Sequence, residues 1–272
     1  MNITFIGGGN MARALIGGLI ARGHASGTLS VVEIDGDARE LLATRFGIAT
    51  FAAVEPAALA SADVIVLAVK PQHMRGVARE LLPLLKRQLV VSIAAGIRLG
   101  DLSRWLLGYQ RLVRAMPNTP ALVGAGIAGL HAMPAVDAEG KAHAAAVLEA
   151  VGQVIWCRRE AELDMITAVS GSGPAYVFYF LEAVDRAAHE LGLDPLEARR
   201  IVYGTFTGAL RLAEQSSVGP ADLRAQVTSR GGTTEKALGM MENAGVKQAI
   251  VDAVKAAAER SRELGDELGA QP

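Results

Sequence analysis

The sequence predicts an α/β N-terminal domain with a parallel-rich sheet, followed by an all-helical C-terminal domain. Short runs of Val, Ile and Leu recur through the first half without polar alternation, as in parallel strands that are buried on both faces. From residue 163 onward, nearly all of the patterns are helical. Polar residues at 158–160 separate the two kinds of pattern, so we place the domains at residues 1–160 and 161–272.

The individual elements follow from these patterns. Apolar runs predict strands at residues 3–6, 29–34, 64–69, 89–93, 112–116 and 154–157. Helical periodicity fills the intervals of the first half at residues 11–22, 37–46, 74–85, 99–106 and 138–151. The second half has helical patterns at residues 175–191, 196–215, 221–227, 234–242 and 247–268. Strands that alternate with helices indicate βαβ units and a parallel sheet.

Composition narrows the classes of function. With 51% hydrophobic residues the chain can form a buried core, and a net charge of −1 favours neither nucleic acid nor an anionic membrane as a partner. No apolar stretch reaches the roughly 20 residues that cross a bilayer, and no signal-peptide pattern precedes the first strand, so we expect a cytoplasmic protein. One cysteine, Cys157, and five histidines without metal-ligand spacing predict no metal site.

Apolar residues in the helical half extend over more than one helix face. Residues 176–181 are continuously apolar or aromatic, and a helix that is apolar all round is usually buried on all sides. A small helical domain can bury little surface alone, which favours a homodimer interface. A simple intrachain bundle remains the alternative.

A glycine-rich turn follows the first predicted strand and opens the first predicted helix. Gly7, Gly9 and Ala12 fit the G-x-G-x-x-A pattern of dinucleotide-binding turns. Gly7 permits the tight turn, Gly9 lets the backbone approach a pyrophosphate, and Ala12 lets the helix pack on the strand. The first helical amides, at Asn10 and Met11, would then face the phosphates. A plain strand-to-helix turn is the alternative.

Two acidic residues, Glu33 and Asp35, stand at the end of the second predicted strand. An acid at this place usually binds the ribose hydroxyls of NAD and repels the additional phosphate of NADP, which favours NADH. Arg13 and Arg39 could still receive that phosphate. In the alternative interpretation, these acids form a solvated turn in which Asp35 caps the following helix.

The ends of later strands carry further candidates. In an open α/β sheet, ligands bind beside the carboxyl ends of the strands, so the loops that follow three of them should line one crevice. These loops contain residues 68–71, 94–96 and 116–120. For Lys70, a structural or phosphate-binding role is favoured over a catalytic one. Asn118 can hydrogen-bond a carboxamide or a ribose.

Two polar loops interrupt the helical half. Residues 170–174 precede one apolar helix, and residues 228–234 precede another helix. Glycine amides and hydroxyl groups at a helix N-terminus form an anion site of carboxylate size. The hydroxyl-rich second loop favours a binding role, and a capped helix start is the alternative.

Taken together, these motifs resemble those of the pyrroline-5-carboxylate reductases nearly end to end. The matching segments are residues 7–12, 68–72, 114–120, 169–176 and 231–234 with 237–238. The resemblance implies a Rossmann domain, a helical domain and a homodimer interlocked through its helices; rings of dimers also occur in such families. It also implies reduction of 1-pyrroline-5-carboxylate, a cyclic imine, to L-proline by NADPH or NADH, the last step of proline biosynthesis.

The resemblance assigns roles to individual residues. The substrate carboxylate would lie on the loop before Thr234, and Thr234 matches the position proposed to hydrogen-bond the imine nitrogen. Many family members have proline where this chain has Arg230. With Thr234 as the catalytic residue, the predicted substrate-binding residues are Ser229, Gly231, Gly232 and Thr233. The predicted cofactor-binding residues are Gly7, Gly9, Asn10, Met11, Glu33, Asp35, Ala68, Val69, Lys70, Pro71, Ala94, Gly96, Pro117 and Asn118.

Two other functions remain open from the sequence. A β-hydroxyacid dehydrogenase shares the layout, but the lysine that such enzymes carry on a C-domain helix has no counterpart in residues 174–191. A dinucleotide-sensing dimer without catalysis would keep the fold, although it has no need of the hydroxyl-rich loop.

Overall fold

The computed structural model describes residues 1–270, which contain one eight-stranded sheet. Its strands are β1 (Ile3–Ile6), β2 (Leu29–Val32), β3 (Ala49–Phe51), β4 (Val64–Leu67), β5 (Leu89–Ser92), β6 (Leu112–Met116), β7 (Gly126–Ala132) and β8 (Gly152–Trp156). The first helices are α1 (Asn10–Ala21), α2 (Gly36–Phe46), α3 (Pro56–Leu59), α4 (Met74–Leu81), α5 (Leu99–Trp105), α6 (Ala138–Glu149) and α7 (Glu162–Ile166). They are followed by α8 (Gly173–Glu190), α9 (Pro195–Gln215), α10 (Pro220–Gln226), α11 (Thr233–Asn243) and α12 (Val246–Gly269).

The sheet has the strand order β3-β2-β1-β4-β5-β6-β7-β8. Neighbouring strands are parallel except β6 and β7, which are antiparallel. The strand order reverses direction between β1 and β4, which pair in register with Ile3 opposite Val64. This is the doubly wound order of a dinucleotide-binding sheet, and it confirms the predicted fold class.

Both faces of the sheet are covered, which explains the sequence pattern of its central strands. Ile3 and Phe5 of β1 lie in one buried cluster with residues of α1, whereas Ile6 lies in a second cluster with residues of α4. Successive side chains of a strand point to opposite faces. Since each face meets helices, every residue of β1 is buried and the strand shows no polar alternation.

Two strands lie where none was predicted. The edge strand β3 has only three residues, none of them fully buried, so it leaves little apolar signal. In β7, glycine and alanine replace the bulky residues that usually mark a strand. A Cβ at Gly129 would lie 3.0 Å from side-chain atoms of both Leu163 and Ile166, so a larger residue there would require the α7 side chains to shift.

The predicted polar loop at residues 170–174 is wrong. The chain forms a π-helical turn at Thr167–Gly171 and enters α8 at Gly173. The Thr167 hydroxyl donates to the Leu163 carbonyl at 2.7 Å, and a Cβ at Gly171 would lie 2.8 Å from Cε of Met116. Small and hydroxyl residues, which suggested a loop, here allow a wide helical turn to pack closely on the sheet.

The described chain divides into two compact units. The first contains Met1–Ser172 and the residues from Ala257 onward, and the second contains Gly173–Ala256. This division differs from the predicted boundary at residue 160, because α7 packs on the sheet and the end of α12 packs beside α5. As a division of function, the domains 1–160 and 161–272 stay a prediction.

The second unit, taken by itself, has a small core. Its buried cluster consists of Ala188, Ala198 and Val202, with Leu181 and Phe206 packed against it. Large apolar side chains on its helices are exposed, among them Phe178, Tyr179, Leu196, Leu210 and Met240. Among residues 1–270, no helix has both the length and the apolar character needed to cross a membrane.

Candidate active site

A cleft of about 530 Å³ opens at the carboxyl ends of β1 and β4, the point at which the strand order reverses. Ligands of doubly wound folds bind at this point. Its lining includes six of the predicted cofactor residues, namely Gly7, Gly9, Glu33, Ala68, Val69 and Lys70. It also includes residues that the sequence analysis did not single out, namely Ile6, Val32, Ile34, Ala53, Val54, His73, Gly76, Val77 and Glu80.

The glycine-rich turn forms one wall of the cleft. Gly7 has φ +99°, and a Cβ there would lie 2.8 Å from the Ala68 carbonyl oxygen, so only glycine fits between the two strand ends. A Cβ at Gly9, in contrast, would meet no protein atom within 4 Å. Gly9 is the N-cap of α1, so the free amides of Asn10 and Met11 begin beside this open space. The turn is thus shaped to admit a phosphate group against the helix N-terminus.

Glu33 connects the glycine-rich turn to the end of β2. One carboxylate oxygen accepts the Gly8 amide at 2.7 Å, and the other accepts the Asp35 amide at 3.0 Å. The side chain also lines the cleft. Glu33 therefore holds the backbone of the turn in place, and its ribose-binding role stays a prediction.

Asp35 adopts the alternative role considered from the sequence. Its side chain accepts the Ala38 amide at 2.8 Å and caps α2. Two arginines lie nearby: Nη1 of Arg39 donates to the carbonyls of Glu33 and Ile34, and Nε of Arg13 donates to the Gly8 carbonyl. Both guanidinium groups reinforce the backbone around the cleft.

The loop after β4 places the positively charged side chain of Lys70 in the cleft lining. Lys70 follows Ala68 and Val69, and Pro71 begins a short 3₁₀ turn. In the described part of the chain, Lys70 forms no ion pair. Its charge is therefore available to an anionic ligand, although Pro71 itself does not line the cleft.

Asn118 is buried and its side chain is committed to the protein. The side-chain oxygen accepts the Ile127 amide at 2.9 Å, and Nδ2 donates to the backbone oxygen and the hydroxyl of Ser170 at 3.2 and 3.0 Å. This amide joins the end of β6 to the start of β7 and to the π-helical turn. Asn118 and the predicted residues Ala94, Gly96 and Pro117 are absent from the cleft lining.

In the second unit, the hydroxyl-rich loop turns sharply into α11. Gly231 has φ +73°, and the Gly232 amide donates to the Ser229 carbonyl at 3.0 Å. Gly232 is the N-cap of α11, and the carboxylate of Glu235 accepts the Gly231 amide at 2.7 Å. Glu235 thus acts like the acidic residue of a capping box, at the third helical position.

This turn leaves a set of donors around the start of α11. The amides of Thr233, Thr234 and Glu235 belong to the first turn, which a helix leaves without internal acceptors. The nearby hydroxyls belong to Ser229, Thr233 and Thr234, and Thr234 is half-buried. Helix amides and hydroxyls together suit a carboxylate. The side chain of Arg230 is exposed.

The described residues contain no group of three or more His, Cys, Asp or Glu side chains that could hold a metal ion.

Comparison with known proteins identifies the family. A pyrroline-5-carboxylate reductase of Pseudomonas aeruginosa is 44% identical over 268 residues, which cover 98% of each chain. The chain belongs to the pyrroline-5-carboxylate reductase family. The resemblance predicted from the motifs is therefore confirmed.

Further matches cover both halves of this family member. Residues 160–264 match the family model for pyrroline-5-carboxylate reductase dimerisation, and residues 2–96 match the model for NADP oxidoreductase, coenzyme F420-dependent. A pyrroline-5-carboxylate reductase structure from Coxiella burnetii is 40% identical with a TM-score of 0.89, covering 97% of this chain and 98% of that one. The Plasmodium falciparum pyrroline carboxylate reductase with NADP bound is 27% identical, with the same coverage and a TM-score of 0.88.

Proposed function

We propose that this chain reduces 1-pyrroline-5-carboxylate to L-proline with NADPH or NADH. The observation that carries the proposal is that one chain of this family has two features suited to the two reactants. The first unit has a dinucleotide cleft at the β1/β4 switch point, and the second has a carboxylate-sized donor set at the start of α11. Family membership over the whole chain supports the same reaction.

The dinucleotide would be held by the walls of the cleft. The open space at Gly9 and the first amides of α1 fit a pyrophosphate, while Glu33 stands where the ribose hydroxyls would bind. Lys70 adds a positive charge to this lining. When bound, the reduced nicotinamide supplies the hydride.

The substrate would be held by the α11 turn. Its carboxylate would accept hydrogen bonds from the amides of Thr233 and Thr234 and from nearby hydroxyls, including that of Ser229. The neutral Thr234 hydroxyl is too weak an acid to protonate the imine nitrogen fully, so it would orient that nitrogen or relay a proton from water. Holding the two reactants in place then supplies much of the rate.

The decisive measurement follows the absorbance of NADPH and NADH as the purified chain acts on the imine. We expect imine-dependent oxidation of at least one cofactor and formation of L-proline. A panel of β-hydroxyacids with the oxidised cofactors serves as the matched control, since a hydroxyacid dehydrogenase would act on those compounds instead. Absence of imine-dependent oxidation with both cofactors would reject the proposal.

We also infer that the active species is a homodimer formed through the helices of the second unit. Phe178 and Tyr179 are 63% and 73% exposed in the single chain, which is unfavourable for large apolar side chains in water. The matching dimerisation model spans residues 160–264 and includes them. Light scattering should give the mass of a dimer or of a ring of dimers, and a monomer mass would contradict the inference.

The cytoplasmic location stays a prediction, and cell fractionation tests it. Recovery of the protein in the membrane or secreted fraction would contradict it.

A further inference from the structure

We propose that the C-terminal segment from Ala257 positions the loop that follows β5, with Leu268 and Arg98 as positioning residues for the cofactor. This role rests on the proposed function and on the prediction from the family resemblance that Ala94 and Gly96 of that loop contact the dinucleotide. Both residues lie outside the lining of the cleft beside β1 and β4. The match to the dimerisation model ends at residue 264, so Leu268 lies beyond the matched residues.

The first contact is between Gly96 and the end of α12. Gly96 has φ +74°, and a Cβ there would lie 2.8 Å from Cδ1 of Leu268 and 3.6 Å from Cβ of Leu264. Leu268 also packs against the buried cluster that contains Ala94 and Ile97. The α12 side chains therefore cover the loop at its most constrained residue, and they limit the conformations that its backbone can take.

The second contact is made by Arg98, the last residue of the loop and the N-cap of α5. Its Nη1 lies 2.6 Å from a carboxylate oxygen of Asp266, and its Nη2 donates to the Arg262 carbonyl at 3.0 Å. A Cβ at Gly265 would lie 2.8 Å from Nε of Arg98, so the absence of a side chain at 265 lets the guanidinium lie against the helix.

Further bonds fix the segment to the rest of the first unit. The Ser261 hydroxyl donates to a carboxylate oxygen of Asp164 at 2.8 Å in a buried position. At the other end, Arg104 of α5 donates to the Gly269 carbonyl at 2.6 Å. Glu160 also accepts the Leu99 amide at 2.7 Å and so holds the first turn of α5.

These contacts place a fixed helix over a loop at the carboxyl end of a central strand. Loops at that edge of the sheet form the ligand site of doubly wound folds. Because a small displacement of a positioning group can cost a large factor in rate, loosening this contact should weaken cofactor use more than it weakens the fold.

The test compares Leu268→Ala with Leu84→Ala. Leu84 packs against the same buried cluster but lies in a 3₁₀ turn before β5, at the amino end of the strand. Both substitutions remove the same atoms from half-buried positions, so similar losses in Tm are expected. Only Leu268→Ala should raise Kd and KM for the cofactor, roughly tenfold, while KM for the imine changes little.

A second pair of variants tests the polar contact. Arg98→Ala should raise the cofactor Kd, and Arg98→Lys should restore part of the affinity, because a lysine can still pair with Asp266 but cannot also reach the Arg262 carbonyl in the same geometry. A merely structural role would move Tm and leave cofactor Kd unchanged in both variants.

The outcomes separate this inference from the proposed function. A wild-type chain that binds neither cofactor rejects both. A wild-type chain that binds and turns over, with an equal cofactor Kd in Leu268→Ala and Leu84→Ala, rejects the positioning role alone. Three results together support the positioning role. The cofactor Kd rises in Leu268→Ala but not in Leu84→Ala, Arg98→Lys recovers part of the cofactor affinity lost in Arg98→Ala, and KM for the imine is unchanged.

Discussion

At the scale of single residues, the same side-chain chemistry has different uses in different surroundings. Glu33 and Asp35 are both acids at the end of β2, yet Glu33 lines the cleft and Asp35 caps a helix. Asn118 could bind a ligand by its chemistry, but Ile127 and Ser170 already occupy its side-chain amide. Residue type therefore indicates which roles a side chain can have, and its hydrogen-bond partners in the fold show which of them it has.

Glu33 should influence the choice between the two cofactors. In the proposed binding mode its charge would face the additional phosphate of NADPH, so Glu33→Gln should reduce the ratio of KM for NADPH to KM for NADH by roughly tenfold. Gln retains one acceptor for the Gly8 amide, which limits damage to the turn. Steady-state kinetics with both cofactors measure the ratio. If the ratio does not change, the nearby Arg13 and Arg39 govern the preference instead.

Thr234 should affect the chemical step and not cofactor binding. Thr234→Ala removes the hydroxyl proposed to orient the imine nitrogen, and we expect kcat to fall about 100-fold. Thr234→Ser keeps the hydroxyl and should recover much of the loss. Cofactor Kd, measured by fluorescence, should stay at the wild-type value in both. Wild-type turnover in Thr234→Ala would exclude Thr234 from the mechanism.

At the scale of secondary-structure elements, helix ends contribute to both stability and the proposed function. Gly9 is the N-cap of α1 and lies beside open space. Gly232 is the N-cap of α11, and the preceding Gly231 amide donates to the Glu235 carboxylate. At α6 the cap contributes to stability. Asp137 caps α6 by accepting the Gly140 amide at 2.8 Å, and it also pairs with Arg111 at 3.3 Å.

The Asp137 cap predicts a dependence of stability on pH. The Gly140 amide, and then Arg111, lower the pKa of this carboxyl in the folded chain. The ionised cap therefore stabilises the fold above the ordinary pKa of about 4, and this contribution is lost as pH falls through the lowered folded-state pKa. Asp137→Ala should have a lower Tm than the wild type at pH 7, and the difference should narrow below about pH 4.

The control for this prediction lies on the same helix. Lys141 is exposed, so Lys141→Ala should keep Tm close to the wild-type value across the same pH range. A Tm difference for Asp137→Ala that stays constant down to low pH would show that the ionised carboxylate does not contribute through this cap.

At the scale of the whole molecule, the second unit depends on a partner surface. Phe178→Glu would place a charge in the proposed interface between subunits, where it could not be solvated. We expect a shift toward monomer and a loss of activity, measured by light scattering and by the reductase assay. Glu190→Gln, at the exposed end of the same helix, should leave the dimer intact. A dimer that withstands Phe178→Glu would place the interface elsewhere.

The sequence by itself determined the α/β class, the glycine-rich turn and the family. These rest on local signals: runs such as Ile3–Ile6 that are buried on both faces, and a turn at Gly7 that only glycine can make. Motifs in a fixed order, such as residues 114–120 and 231–234, then indicate the family without any knowledge of packing.

Only the tertiary structure decided which groups are free and which are already bonded. It showed β7, in which Gly129 packs closely against α7, and the π-helical turn at Thr167–Gly171. It also brought the end of α12 onto Gly96, a contact between residues 172 positions apart in sequence that no local pattern encodes. Short motifs determine which chemical groups the chain carries. The hydrogen-bond and packing partners of those groups belong to distant segments, which come together only when the chain folds.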